Sequence, residues 1–268
     1  MNGFMYNPDI EYQNKQIIEV NSRHITSGTP DNFYITIPND LFTTRSPHFI
    51  KVVDANIPYS FFQIIDGVNN HFTLDDGGGV VDIYITEQHY SGVQLALEIK
   101  NELDAVSSIP QVYTVDYSKQ TNKYTIHSTA NFTLDFDFDD SIYKATGFLR
   151  QSYAGTNSYT SDTMIDLIND EFLWICTDLI NGIDNGVMLY RPTTENMHIL
   201  ATIPITVDYG GMICYHEEII EPPKDIRNAR FSYNEDVTKS INIWLERESG
   251  LPMSLNGLNW SMKFILFY

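Results

Sequence analysis

Apolar residues recur at every second position through most of this chain, and that period constrains its fold class more than any other feature. Phe33, Ile35 and Ile37 share one face of "NFYITIP", Val81, Ile83 and Ile85 one face of "VDIYITE", and Ile241, Ile243 and Leu245 one face of "SINIWLE". In "NFTLDFDFDD", Phe132, Leu134, Phe136 and Phe138 point one way, while Asn131, Thr133, Asp135 and Asp137 point the other. Such a strand has one dry face and one wet face. Gly, Asn, Asp and Pro punctuate the runs, so the chain reads as mainly β.

The run "LNGLNWSMKFILFY" is the most apolar of all. Leu258, Trp260, Met262, Phe264, Leu266 and Tyr268 alternate, and Ile265 and Phe267 fill the second face as well. A strand apolar on both faces would template aggregation at an exposed sheet edge. It is therefore expected inside a sheet and covered on both sides.

A single stretch changes period. In "YSGVQLALEIKNELDAV", Leu95, Ile99 and Leu103 are spaced by four, with Ala96 and Val106 widening the stripe, which predicts an amphipathic helix. Ser91 with Gln94 fits a capping box and Tyr90 with Leu95 a hydrophobic staple. Downstream, "QVYTVDY" and "KYTIH" flank the polar "SKQTN" and predict a hairpin. Strand-like segments lie on both sides of this region, from "QIIEVNSR" and "HFIKVVDANIPYSFFQI" before it to "FLWICTDL", "GVMLYRP", "HILATIPIT", "GMICYHEEII" and "NARFSY" after it. The economical architecture is a β-sandwich of residues 1–65 and 151–268, split by an inserted small α+β domain at 66–150. "QSYAGTNSYTSDT", at 151–163, reads as the return linker.

Sixteen Lys and Arg against thirty-five Asp and Glu give a formal charge of −19. That surface repels phosphate, so direct nucleic-acid binding is not expected. The N-terminal "MNGFMYNPDIEYQNKQ" lacks the basic and apolar regions of a signal peptide, and no apolar run approaches a membrane span. A cytosol-like site of synthesis follows. Cys176 and Cys214 each sit in an apolar segment and read as small buried hydrophobes, not as a disulfide framework.

Chemistry-bearing motifs are sparse. His24, His48, His71, His89, His127, His198 and His216 are scattered singly, without His-x-His, HExxH or Cys-x-x-Cys spacing. In "CYHEE", alternation would place Cys214, His216 and Glu218 on one strand face, a thiolate–imidazole–carboxylate set a soft metal could use, although inner or outer sheet rows share that spacing. Asp135, Asp137 and Asp139 resemble the opening of a calcium loop, but Asp140 occupies the position of the turn glycine and Thr146 that of the closing glutamate. "DDGGGV" at 75–80 has two carboxylates and no lysine, so it is a hairpin loop rather than a phosphate cradle. No G-x-S-x-G elbow is present, and no catalytic residue, metal ligand or cofactor site is assigned. Seventeen Tyr and fifteen Phe supply contact surface instead, the tyrosines apolar along the ring and polar at the tip.

The order of these pieces resembles the penton, or minor capsid, proteins of virophages and of related Maverick/Polinton-like DNA viruses. Three segments carry the likeness: "HFIKVVDANIPYSFFQI" with its "IPYS" element; "HYSGVQLALEIKNEL", "YTVDYSKQTNKYTI" and "YKATGF" in succession; and "NARFSYNEDVTKSINIW" followed by "LNGLNWSMKFILFY" with its "LNG-x-x-W" turn. The resemblance implies a single jelly roll with an inserted, outward-projecting domain. It also implies a virion location at the five-fold vertices of an icosahedral double-stranded DNA virus shell. There the chain would be a structural, non-enzymatic subunit, five copies forming a homopentamer against a double-jelly-roll major capsid protein. Any arm that binds neighbours would come from Met1 to Gln16. The alternative is a viral spike or surface protein whose inserted domain binds a host receptor or glycan.

Overall fold

The computed structural model describes residues 15–36, 49–107, 111–168, 170–179, 198–217, 229–230 and 240–267. The expected strand "GVMLYRP", the third member of the "CYHEE" set and nearly all of the expected N-terminal arm lie outside them. The chain divides into two compact units, Met1–Ser60 with Asp170–Tyr268, and Phe61–Asn169.

Numbered along the whole chain, the strands of the first unit are β1 (Lys15–Asn21), β2 (Ser27–Thr29), β3 (Asn32–Ile35), β4 (Phe49–Pro58), β10 (Phe172–Thr177), β11 (Ile199–Pro204), β12 (Met212–His216), β13 (Ala229–Arg230), β14 (Ile241–Arg247) and β15 (Ser261–Phe267). One sheet runs β1-β15-β4-β12, with β13 on the far end of β4; the other runs β11-β10-β14-β3-β2. With the short β2 and β13 set aside, the eight remaining strands fall in the order first-eighth-third-sixth in one sheet and second-seventh-fourth-fifth in the other. That order is the jelly roll. The inserted unit lies between its third and fourth strands, β4 and β10.

β15 occupies the centre of its sheet, antiparallel to β1 on one side and to β4 on the other. Met262, Phe264 and Leu266 are buried on one face, while Ile265 and Phe267 cluster with Val53 on the second. The expectation of a strand covered on both faces is met. A bulge lets this strand fit β4: Lys263 opposes Asp54 but Phe264 opposes Val52, so Val53 is the extra residue. It resets the buried parity of β4 from Ile50 and Val52 to Ala55 and Ile57. The turn leading into β15 is built by Asn256 and Gly257, both at positive φ (52° and 77°), with Leu258 N–H donating to the Leu255 carbonyl at 3.0 Å. Asn-Gly is the sequence that tolerates two successive left-handed residues. Trp260 Nε1 then donates to the Pro30 carbonyl (2.6 Å), and its ring lies 5.9 Å from that of Phe33 in the opposite sheet.

The inserted unit comprises β5 (His71–Asp75), β6 (Val80–Tyr84), α1 (Gly92–Val106), β7 (Tyr113–Ser118), β8 (Lys123–Asp135), α2 (Tyr143–Thr146) and β9 (Ser152–Thr160). Its sheet runs β6-β5-β8-β7, with β9 on the free side of β8. α1 begins as its sequence dictates: Gln94 N–H donates to Ser91 Oγ (3.3 Å) and Ser91 N–H to Gln94 Oε1 (2.9 Å). Leu95, Ala96, Ile99 and Leu103 bury the apolar stripe against Phe72, Leu74, Ile83, Tyr113, Tyr124, Ile126, Phe132 and Leu134. Gly92 lets α1 start close to its neighbours: a Cβ there would stand 2.8 Å from the Tyr117 ring and 3.0 Å from Ile165, so those side chains would have to shift.

Two expectations are corrected here. The units divide at 60/61 and 169/170 rather than 65/66 and 150/151, and the second division lies later because the segment read as a linker is strand β9, paired with β8 from Thr125↔Thr160 to Asp135↔Ser152. Its Ser, Thr, Gly and Asn residues face water, whereas Tyr153 and Tyr159 pack on the core. Two tyrosines in nine residues leave too weak an alternation to show in sequence. Likewise "KYTIH" and "NFTLDF" are one continuous thirteen-residue strand, irregular opposite β9 between His127 and Phe132.

Candidate assembly and recognition surfaces

Among the described residues, those singled out for chemistry do not assemble into a metal-holding cluster. Cys214 and His216 share the solvent-facing side of β12 and both are exposed, so Cys214 is not the buried hydrophobe its apolar neighbours suggested. β12 is a sheet edge, and its buried row is carried by Ile213 instead. Cys176, on the interior strand β10, is buried as expected. His216 Nδ1 lies 3.6 Å from Asp54 Oδ2, a surface contact. Among the described residues no three His, Cys, Asp or Glu side chains are placed to hold a metal ion.

The acidic run is engaged by a cation of the chain itself. Arg150 places Nε 3.2 Å from Asp137 Oδ1 and an Nη 2.7 Å from Asp139 Oδ1. In the β5–β6 loop, Gly77 N–H donates to Asp75 Oδ1 (2.9 Å) and Gly78 N–H to Asp76 Oδ1 (3.2 Å). Amides that could have met a phosphate are used by neighbouring carboxylates, as the hairpin reading implies.

Ser60 and Asp170, the first unit's residues at the two chain crossings, are each bonded within the jelly roll. On the first, Ser60 Oγ donates to the Leu255 carbonyl (2.8 Å), and Asn256 Nδ2 donates to the Ser60 carbonyl (2.5 Å). On the second, Asp170 accepts from Arg247 Nη1 at 2.7 Å and from Glu248 N–H at 3.2 Å. The Asp170 and Arg247 side chains are 3% and 6% exposed, so this is a buried ion pair. Burial pushes the Asp170 carboxyl above its ordinary value, against the pull of Arg247. Neither anchor was legible in sequence, since the partners lie 77 or more residues apart.

The outer face of the β1-β15-β4-β12 sheet carries a charge ladder. Glu19, Lys263, Asp54 and His216 are successive cross-strand neighbours. Adjacent on this unit, Lys51 Nζ is 2.6 Å from Glu217 Oε1. Burial would raise the Glu217 carboxyl, but hydrogen bonds from Lys51 and Tyr215 outweigh it and hold the group below the usual range. In the inserted unit, α1 leaves Val93 and Leu97, four apart, more than half exposed, followed along the helix by the Lys100–Asp104 ion pair. That face is apolar and charged in turn.

One cluster escaped sequence reasoning altogether. His71, buried, stands between Asp82 and Asp140, with Oδ1 of each 3.1 Å from a ring nitrogen. Sixty-nine residues separate His71 from Asp140, and no local pattern marks the set.

The fold defines a class: a single jelly roll carrying a helix-and-sheet domain between its third and fourth strands. No protein-family model matches the chain, and no curated protein matches it in sequence. Among solved structures, the crystal structure of the mavirus penton protein matches with a TM-score of 0.51 over 95% of this chain and 99% of that one, at 10% identity. The likeness is one of fold, and it spans the inserted unit as well as the jelly roll. No helix among the described residues is long and apolar enough to cross a membrane.

Proposed function

We propose that this chain is a structural subunit of a viral capsid, a penton whose five copies close a ring at each vertex of an icosahedral double-stranded DNA virus shell. The observation that carries this reading is the match to the mavirus penton protein over nearly the full length of both chains. The three sequence segments that resemble virophage pentons support it independently. Ring closure is a heterologous contact and needs two different complementary flanks on each subunit. A sandwich with a charged outer sheet face and loops at both ends has surfaces of that kind. In this reading the jelly roll is the base that meets a double-jelly-roll major capsid protein, and Phe61–Asn169 is the outward domain, placed to meet a host receptor. The role is structural, without catalysis and without direct contact to the genome, which accords with the −19 charge.

Native mass spectrometry of the full-length protein, with and without the major capsid protein, tests this. The expected result is a species of five times the 30.8 kDa chain mass. A dimer or trimer that persists in both conditions, together with absence of the chain from virion vertices, overturns the reading.

A further inference from the structure

The His71 cluster is built from three parts of the inserted unit. His71 opens β5, and its side chain is 7% exposed. Nδ1 faces Asp140 Oδ1 and Nε2 faces Asp82 Oδ1, each at 3.1 Å. The ring is stacked on Tyr84, its cross-strand partner on β6, at 4.6 Å and 12°, and meets Phe138 at 4.4 Å. The backbone joins the same parts: His71 N–H donates to the Asp140 carbonyl (3.1 Å), and Ile142 N–H donates to the His71 carbonyl (3.0 Å).

Carboxylates accept hydrogen bonds and cannot donate them. Two acceptors on opposite sides of one ring are both served only when each ring nitrogen carries a proton. We propose that His71 is a proton-operated clamp. In its doubly protonated form it fastens the 137–142 turn to the β5–β6 hairpin. When one proton leaves, one nitrogen presents a lone pair to a carboxylate and that side of the clamp opens. The charged groups around it are Asp82 on β6, Asp140 on the turn, Asp135 across from Thr73 on β8, and Asp137 and Asp139, both engaged by Arg150. The clamp is therefore complete only while both ring nitrogens carry protons, and it loses a contact when either proton leaves. It acts inside one unit and does not depend on the capsid reading.

Amide hydrogen exchange of the full-length protein between about pH 5.5 and about pH 8.5, corrected for intrinsic exchange, tests the clamp. The His71 and Ile142 amides are expected to lose roughly tenfold in protection at the upper end, while Leu95 and Ser107, in and at the end of α1, hold theirs. Asp82→Asn keeps Asp140 as the counter-charge of the buried ring, and its amide can pair with either nitrogen state. In that variant the loss should disappear. Constant protection in the wild-type protein, an equal loss in Asp82→Asn, or a loss shared by α1 would each overturn the proposal.

Discussion

The two units use the same alternating strands but close their cores by opposite routes. In the jelly roll, partners come from the ends of the chain: Lys15 pairs with Phe267, and Ile241 with Ile35. In the inserted unit every sheet neighbour is found within the segment itself, and β5 with β6 and β7 with β8 are hairpins. One core lies between two sheets; the other lies between one sheet and one helix. Charge divides unevenly as well. Residues 61–169 hold fifteen Asp and Glu against five Lys and Arg, and the longer remainder holds twenty against eleven. The difference teaches that the insertion is a local folding problem with a strongly acidic surface, whereas both jelly-roll sheets are completed only by closing long loops, the slower kind of assembly.

Substitutions confined to one unit test how far that separation extends. Arg247→Met would leave Asp170 buried without its partner, at a cost of about 3–5 kcal/mol. Calorimetry should show the jelly-roll transition falling while the inserted unit's transition holds; if both fall together, the two units unfold as one block. Leu103→Ala, at the C-terminal end of the buried α1 stripe, should do the reverse, with a loss of about 2–5 kcal/mol in the inserted unit alone. Ser91→Ala removes half of the capping box and should lower that same transition by about 1 kcal/mol, read as a small shift in urea midpoint with an unchanged slope.

The smallest expected effect is acid dependence in the jelly roll. Glu217 is held below its ordinary value of 4.5, so its stabilising contribution is complete above that value and is lost as pH falls through the lower folded one. With a side chain nearly half exposed, it contributes less than about 1 kcal/mol. Glu217→Gln should flatten the jelly roll's stability between about pH 5 and about pH 3 and leave the inserted unit's profile as it was. An unchanged slope would show that the Lys51 pair contributes nothing in solution.

The same contrast explains which features could be read in advance. The capping box at Ser91, the stripe from Leu95 to Leu103 and the hairpin around Asn122 join residues a few positions apart, and all three stand as the sequence implies. Strand β9 was misread because water-facing Ser and Thr dominate it and its pairing is supplied by β8. Cys214 was misplaced because its neighbours show hydrophobicity, while the face of an edge strand depends on where β4 lies. The Arg247–Asp170 and His71–Asp82–Asp140 contacts had no local signature at all.

By itself the sequence determined the period of each segment, and with it the mainly β class, the single long helix and the burial of the last strand on both faces. These follow from side-chain directions repeating every two or 3.6 residues, a property of the chain at short range. Only the tertiary structure decided that β15 lies between β1 and β4, that a bulge at Val53 changes which residues of β4 are buried, and that the unit boundary falls at Asn169. Strand pairing is a choice among many partners of similar local propensity. It is settled by which arrangement buries both sheets' inner rows at once, and that quantity belongs to the whole fold.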